Sequence, residues 1–333
     1  MTPTRIALAL ALLGAALAPA SAQRLDGLNV ITTPGHPYGS ESARRSLANA
    51  RRLGAAAVAI VPFLWQAGAQ DPGIGRGRDM PDEELRIAIR EARALGFTVL
   101  VKPHVWVPES WAGAVEPRSE ADWRTWFAGY GAAVEAIATI AAQENADAFS
   151  IGTELARTTQ RPEWFELIAR LRAAFPRTLV YVAHNVEEAE AIPFWTLLDA
   201  IGVTLYPPLG AARDRPGRLK TMRAAARRLD QIAARTDRRI VVGEIGLRSA
   251  EGATLKPWES AEERAAVADP LIQAEVLGDW LGVLRRPSVR GVLVWRWFTD
   301  PAAGGLGDTD FTVQGKPAEG VLLCAWTIGC ARP

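Results

Sequence analysis

The feature that most constrains this chain is an alternation of eight short strand-like runs with eight helical stretches. The runs are 27–31 (GLNVI), 56–62 (AAVAIVP), 97–102 (FTVLVK), 147–151 (DAFSI), 179–183 (LVYVA), 200–205 (AIGVTL), 239–243 (RIVVG) and 290–295 (RGVLVW). They are short, β-branched and often apolar throughout, the pattern of strands buried on both faces. Helical patterns fall between them at 41–53, 81–95, 120–143, 162–175, 187–198, 216–235, 261–286 and 317–326. Pro81-Asp82-Glu83-Glu84 places a proline and acids in a first turn, Gly96 follows as a stop, and Ser119 is placed to cap. Eight strands alternating with eight helices predict a (β/α)8 barrel, α/β in class and a single domain. The alternative is an open doubly wound sheet. Its glycine-rich phosphate loop is missing, because the first strand leads into "TTPGHPYGSES" without G-x-G-x-x-G spacing.

The N-terminus reads differently. Arg5 precedes an uncharged apolar run, Ile6 to Leu17, and Ala20-Ser21-Ala22 supplies small residues for cleavage before Gln23. Residues 1–22 are therefore expected to be a secretory signal, and 23–333 the mature chain, secreted or periplasmic. A membrane anchor is the other reading, but the run is short for a span of roughly 20 residues. Losing Arg5 takes the formal charge from +1 to zero. No basic field serves nucleic acid or a membrane surface, so a neutral substrate and a monomer are expected. The only two cysteines, Cys324 and Cys330, could close a small C-terminal disulfide or remain thiols.

In a barrel of this kind the active site lies at the C-terminal strand ends. Two glutamates stand there in matched settings: Glu154 in "FSIGTEL", after the fourth run, and Glu244 in "VVGEIGL", after the seventh. Strands four and seven can face each other across the mouth. Two carboxylates flanking one bond suit glycoside hydrolysis, at about 5–5.5 Å for retention or 6.5–9.5 Å for inversion. At about 5.5 Å and an effective dielectric of about 20 they repel by roughly 3 kcal/mol. Mutual repulsion is thus expected to keep one ionised and the other protonated near neutral pH. Each glutamate alone would read as a capping or surface acid; the matched pair changes that.

The other strand ends fit a sugar site. His36, His104 and His184 follow the first, third and fifth strands. They lack H-x-H or H-E-x-x-H spacing and a nearby acid, so neither a metal nor another cofactor is expected, and sugar contacts compete with structural roles. Trp65, Trp106, Trp295 and Trp297 also lie at strand ends, as candidate platforms for sugar rings or as core residues. Trp295 and Trp297 are two apart and would share a strand face, either one forming the floor beneath the sugar, with Trp65 nearer the wall. Tyr206 in "TLYPP" is placed to donate to the nucleophile, and Asn185 in "AHN" to reach a hydroxyl. Lys102 shares a strand face with His104, as a substrate contact or as the ion-pair partner of a neighbouring acid.

The chain resembles glycoside hydrolase family 113, a clan A family of endo-β-1,4-mannanases. The resemblance is carried by "VVGEIGLRSAEGA", "KPW", "VRGVLVWRWFTDP" and "DTDFTVQGKPAEGVLLCAW", with "YGSESARRSLANARRLGAAAVAIVPFLWQ", "FSIGTEL" and "LDAIGVTLYPPL" upstream. It implies a barrel, retaining hydrolysis of a β-linked polysaccharide or oligosaccharide (β-mannan favoured), Glu154 as acid/base and Glu244 as nucleophile. One departure stands out: many clan members place Asn just before the acid/base to contact the sugar 2-hydroxyl, and here that residue is Thr153. Two alternatives remain at this stage. One is a non-catalytic carbohydrate-binding barrel; the other is a lyase forming a Schiff base on Lys102.

Overall fold

The structure, a computed structural model, describes residues 24–77 and 79–328. The expected signal segment and Cys330 lie outside the described residues; Cys324 is disulfide-bonded.

Among the described residues, eleven strands form two sheets. The large one is built from β1 (Gly27–Ile31), β2 (Ala57–Ile60), β5 (Thr98–Val101), β7 (Ala148–Thr153), β8 (Thr178–Ala183), β9 (Ala200–Leu205), β10 (Ile240–Ile245) and β11 (Val289–Phe298). All its pairings are parallel, and it closes on itself in the order β1-β11-β10-β9-β8-β7-β5-β2. This is the expected eight-stranded barrel, its strands matching the eight apolar runs. A second, three-stranded sheet was not read from the sequence. It joins β3 (Phe63–Gln66), β4 (Ile74–Arg76) and β6 (His104–Trp106) in the order β4-β3-β6. β3 and β6 directly continue the chain beyond the ends of β2 and β5, so this sheet extends the C-terminal rim of the barrel on one side.

The helices are α1 (Glu41–Arg52), α2 (Asp82–Ala94), α3 (Glu120–Gln143), α4 (Glu163–Ala174), α5 (Val186–Ala191), α6 (Arg215–Thr236), α7 (Pro270–Val283) and α8 (Pro317–Leu323). Their starts follow local chemistry. The hydroxyls of Ser40 and Ser119 accept from Ala43 N and Asp122 N, satisfying a first-turn donor of α1 and α3. Gly96 takes φ +79 just beyond α2, a left-handed stop that glycine adopts without penalty. α5 and α7 fall furthest short of their periodic pattern. α5 ends at Ala191 because Pro193 drives Ile192 into an extended conformation. α7 begins at Pro270, capped by Asp269, whose carboxylate accepts from Ile272 N at 3.1 Å; residues before it form turns and an Ala250–Ala268 bridge.

Alternation along the strands divides the core. Val58 and Ile60 belong to the main layer under the helices, while Ala57 and Ala59 pack with Leu100 and Leu293 in a separate small cluster. Among the described residues, no helix is long and apolar enough to cross a membrane.

Candidate active site

The two glutamate-bearing strands share an irregularity. Against β8, β7 carries one extra residue between Ser150 and Thr153; against β9, β10 carries one between Val242 and Glu244. A bulge of this kind bends a strand end and re-aims its side chains. Glycine permits both. A Cβ on Gly243 would stand 2.7 Å from Val182 Cγ1, and one on Gly152 3.0 Å from the Tyr130 hydroxyl and the Tyr181 ring. The Gly-before-Glu pattern thus has a steric cause: the backbone is pressed against neighbours just before it turns the carboxylate inward.

Glu154 sits at φ 57, in the left-handed region. A non-glycine residue is held there at a cost of order 1–3 kcal/mol, so its surroundings must fix it. Glu154 N donates to Val182 O at 2.8 Å, and the next amide, Leu155 N, donates to the Tyr181 hydroxyl at 2.9 Å.

Both glutamates line one cleft of about 1390 Å³ at the C-terminal end of the barrel. Their environments differ in kind. Glu244 is 4 % exposed and forms an ion pair with the fully buried ammonium of Lys102, while the Tyr206 hydroxyl donates to its Oε2 at 3.0 Å. A cation and a hydroxyl donor hold the two carboxylate oxygens in place from separate sides of the chain. The Lys102 ammonium also lies 5.2 Å from the Trp295 ring centroid.

Glu154 is instead surrounded by groups that exchange protons. His184 Nδ1 lies 3.2 Å from its Oε1, and His104 Nε2 lies 3.7 Å from its Oε2. The Thr204 hydroxyl lies 2.5 Å from Glu154 Oε1 and 2.5 Å from the His184 carbonyl. It has one proton to give. With Glu154 ionised, Thr204 donates to the carboxylate; with Glu154 protonated, Glu154 donates to Thr204, which passes its own proton to the carbonyl. Thr204 is also the ladder neighbour of Glu244, so one residue borders both glutamates.

The electrostatics correct one expectation. Burial pushes Glu154 up, but the hydrogen bond and charge of His184, with the charge of His104, outweigh it and hold the carboxyl at about 2. The difference between the glutamates therefore does not come from mutual repulsion raising Glu154 in the free protein. For His184, burial pulls down, but Glu154, Glu188 and Glu244 outweigh it and raise the imidazole. His184 Nδ1 and Glu154 Oε1 stand close enough for one proton to pass between them. Burial keeps His104 below its ordinary value.

The remaining sequence candidates divide. Tyr206, His104, Trp106 and Trp295 line the cleft. Asn185 also lines it, but its side-chain oxygen caps α5 by accepting from Glu188 N at 2.8 Å. Lys102 is buried behind Glu244 and is not a sugar contact; its ammonium is committed to the ion pair, which leaves no free amine for a Schiff base. Thr153 is 1 % exposed and donates to Pro103 O at 3.1 Å, so its hydroxyl is turned from the cleft. Trp65 is exposed and does not line the cleft; its ring lies 6.0 Å from Trp106 and its indole N–H donates to Asp79 at 3.1 Å. His36 lies outside the cleft, near Asp300 at 3.8 Å.

Trp297 is the clearest misplacement. It is 1 % exposed and donates to the Ser46 hydroxyl of α1 at 2.7 Å. Simple alternation put it on the same face as Trp295. The pairing of β1 with β11 shifts, Leu28 facing Val294 but Val30 facing Trp297, and the extra residue on β11 sends the two tryptophans to different environments.

The sequence reading missed Thr204 as a site residue and two exposed aromatics. Trp111 packs on His184 with ring centroids 4.4 Å apart, and Trp258 stands 51 % exposed on the cleft wall. Both lie in loops, where no periodicity announces direction. Among the described residues, no cluster of His, Cys, Asp and Glu is arranged to hold a metal ion.

Comparison with known proteins decides the family. The model of Glycoside Hydrolase Family 113 matches residues 30–316. The chain belongs to glycoside hydrolase family 113. It is accordingly a glycosidase. Among solved structures, it is similar to a family 113 β-mannanase from Alicyclobacillus acidocaldarius in complex with ManMIm, at 22 % identity and TM-score 0.82, covering 92 % of this chain and 97 % of that one. A family 113 β-1,4-mannanase superposes with TM-score 0.80 at 23 % identity, covering 91 % and 99 %. A β-glucuronidase from Ruminococcus gnavus shares the barrel at TM-score 0.61 and 14 % identity, covering 91 % of this chain and half of that one. No curated protein matches. These structural likenesses establish the shared fold.

Proposed function

We propose that this glycosidase cleaves β-1,4-linked mannan with retention, Glu244 acting as nucleophile and Glu154 as acid/base. The supporting observation is the asymmetry of the two carboxylates in one cleft. Glu244 is clamped by a cation and a phenol; Glu154 is surrounded by a histidine pair and a reversible hydroxyl.

In the first step a Glu244 oxygen attacks the anomeric carbon, and the bond to the leaving oxygen breaks. Glu154 delivers a proton to that oxygen, and a glycosyl ester forms on Glu244. In the second, Glu154 takes a proton from water, whose oxygen attacks the same carbon and releases Glu244. The proton for the first step comes from the His184–Glu154 pair. A bound sugar chain expels water, and a dry site disfavours a separated ion pair over its neutral form. Moving the proton from imidazolium to carboxylate yields neutral histidine and protonated Glu154, the form that can donate.

Mannan is favoured by the family and by the mannanases named above. The open cleft and its exposed Trp106, Trp111 and Trp258 suit a polymer. Export through the N-terminal segment fits a substrate outside the cytoplasm, acted on by a monomer. The test is hydrolysis by the mature protein of a panel of β-mannan, β-glucan, xylan and galactan, with the anomer of the first product read by NMR. Cleavage of mannan to the β-anomer is expected. Release of the α-anomer would rule out retention, and preference for another polymer would remove mannan.

A further inference from the structure

A third carboxylate stands behind the acid/base, and the mechanism above does not use it. Glu188 lies in α5. Its Oε1 accepts from the Tyr181 hydroxyl at 2.7 Å, and its Oε2 accepts from His184 N at 2.6 Å. The same Tyr181 hydroxyl accepts from Leu155 N, the amide following Glu154. One carboxylate thus reaches both halves of the proton-handling pair. Through Tyr181 it fixes the backbone beside the left-handed Glu154; through the His184 amide it fixes the residue whose ring meets Glu154.

We propose that Glu188 is a positioning residue, holding the Glu154 backbone and the His184 ring in register for proton transfer. This rests on the reading of Glu154 as acid/base. Glu188 faces the Tyr181 phenol of β8, the His184 imidazole and the Glu154 carboxylate. Its helix neighbours Glu187 and Glu190 are paired with Arg228 of α6 instead. Burial pushes Glu188 up to about 7, against the hydrogen bonds from His184 N and Tyr181. It therefore gains its charge near neutrality. A nearby anion makes the His184–Glu154 pair hold its proton more tightly, so this charge keeps the pair protonated as pH rises. Geometry and electrostatics serve the same end.

The test compares wild type with Glu188→Gln and Tyr181→Phe. On β-1,4-mannan, Glu188→Gln is expected to lower kcat roughly ten- to a hundredfold with little change in KM, as for a small misplacement at the reacting centre. The alkaline limb of kcat/KM should move to lower pH. In the substrate-free protein, the NMR titration midpoint of His184 should fall in the same variant. Tyr181→Phe keeps the carboxyl group and cuts the tether, so kcat should fall while the His184 midpoint moves less than in Glu188→Gln. An unchanged kcat and an unchanged His184 midpoint in Glu188→Gln would overturn the proposal. So would a loss of activity matched by loss of folded protein, with the pH profile unmoved. Should Glu188→Gln fail to fold, an unchanged kcat in Tyr181→Phe overturns it. If Glu154→Gln remains fully active while the His184 midpoint still falls in Glu188→Gln, the acid/base reading is wrong and the contact to His184 stands.

Discussion

The ammonium of Lys102, at the end of the third barrel strand, is ion-paired with Glu244 from the seventh, and neither group has appreciable contact with solvent. Removing one partner of such a pair strands the other in a medium that penalises charge. Lys102→Met is therefore expected to cost roughly 3–5 kcal/mol in denaturant unfolding. The folded fraction should also lose at least a hundredfold in kcat, because Glu244 is left with Tyr206 alone to orient it. A stable, active Lys102→Met protein would show that the pair neither stabilises nor orients.

Glu154→Gln and Glu244→Gln should both fold and both lose activity on mannan, by roughly 10²–10⁴-fold or more. Their kinetics should separate. An aryl glycoside with a good leaving group needs little protonation, so Glu154→Gln should still form the glycosyl-enzyme, and azide should speed its turnover. Glu244→Gln should respond to neither change. Identical behaviour of the two variants in burst kinetics would cancel the role assignment.

Trp295 and Trp297 make opposite predictions. Trp297→Ala empties a buried site and loses the Ser46 bond, at roughly 3–5 kcal/mol of stability, with near-normal turnover per folded molecule. Trp295→Ala opens the cleft floor over Lys102. It should lower kcat/KM roughly tenfold or more, about 1.4 kcal/mol, with a smaller change in Tm. Thermal melts beside Michaelis curves decide, and the reverse pattern would place the sugar platform on Trp297.

Glu188 should leave a signature in the pH dependence of stability. A carboxyl raised from 4.5 to about 7 binds its proton more tightly in the folded state than in the unfolded state. Its contribution to stability is therefore full below about pH 4.5 and is lost as pH rises toward 7, by up to about 3 kcal/mol. Glu188→Gln has no such proton to lose. The Tm of the variant relative to wild type should climb between pH 5 and pH 8, and parallel Tm curves would contradict this.

The barrel was legible in the chain because eight buried parallel strands leave eight apolar runs, and helices leave their own period between them. Glu154 and Glu244 were legible for a related reason: each follows a glycine that a crowded strand end requires. Trp297 was not, because one extra residue in β11 changes which way a side chain faces, and no residue type marks that bulge. Thr153 was found at the right strand end without the carbonyl it binds, and for Lys102 the ion pair stood as one of two readings without its partner named. A hydroxyl bound to a carbonyl and an ammonium bound to a carboxylate are tertiary facts, set by strands far apart in sequence. The His184–Glu154 pairing has the same origin, and so does the low Glu154 value it brings.

The barrel is closed by its two most distant strands: β1 pairs with β11, Gly27 facing Leu293. During synthesis at about 5–20 residues per second, β1 waits roughly 15–50 s for that partner to be made. Until then the sheet is an open fan with β1 at one border and β10 at the other, both presenting unpaired amides and carbonyls. A chain that folds while it is being made passes through this state, and its two borders are then open to pairing with another copy. For such a chain, closure by β11 competes with collisions between neighbours. Slowing translation across 270–298 should favour aggregation more than the same pause placed after β11 is complete.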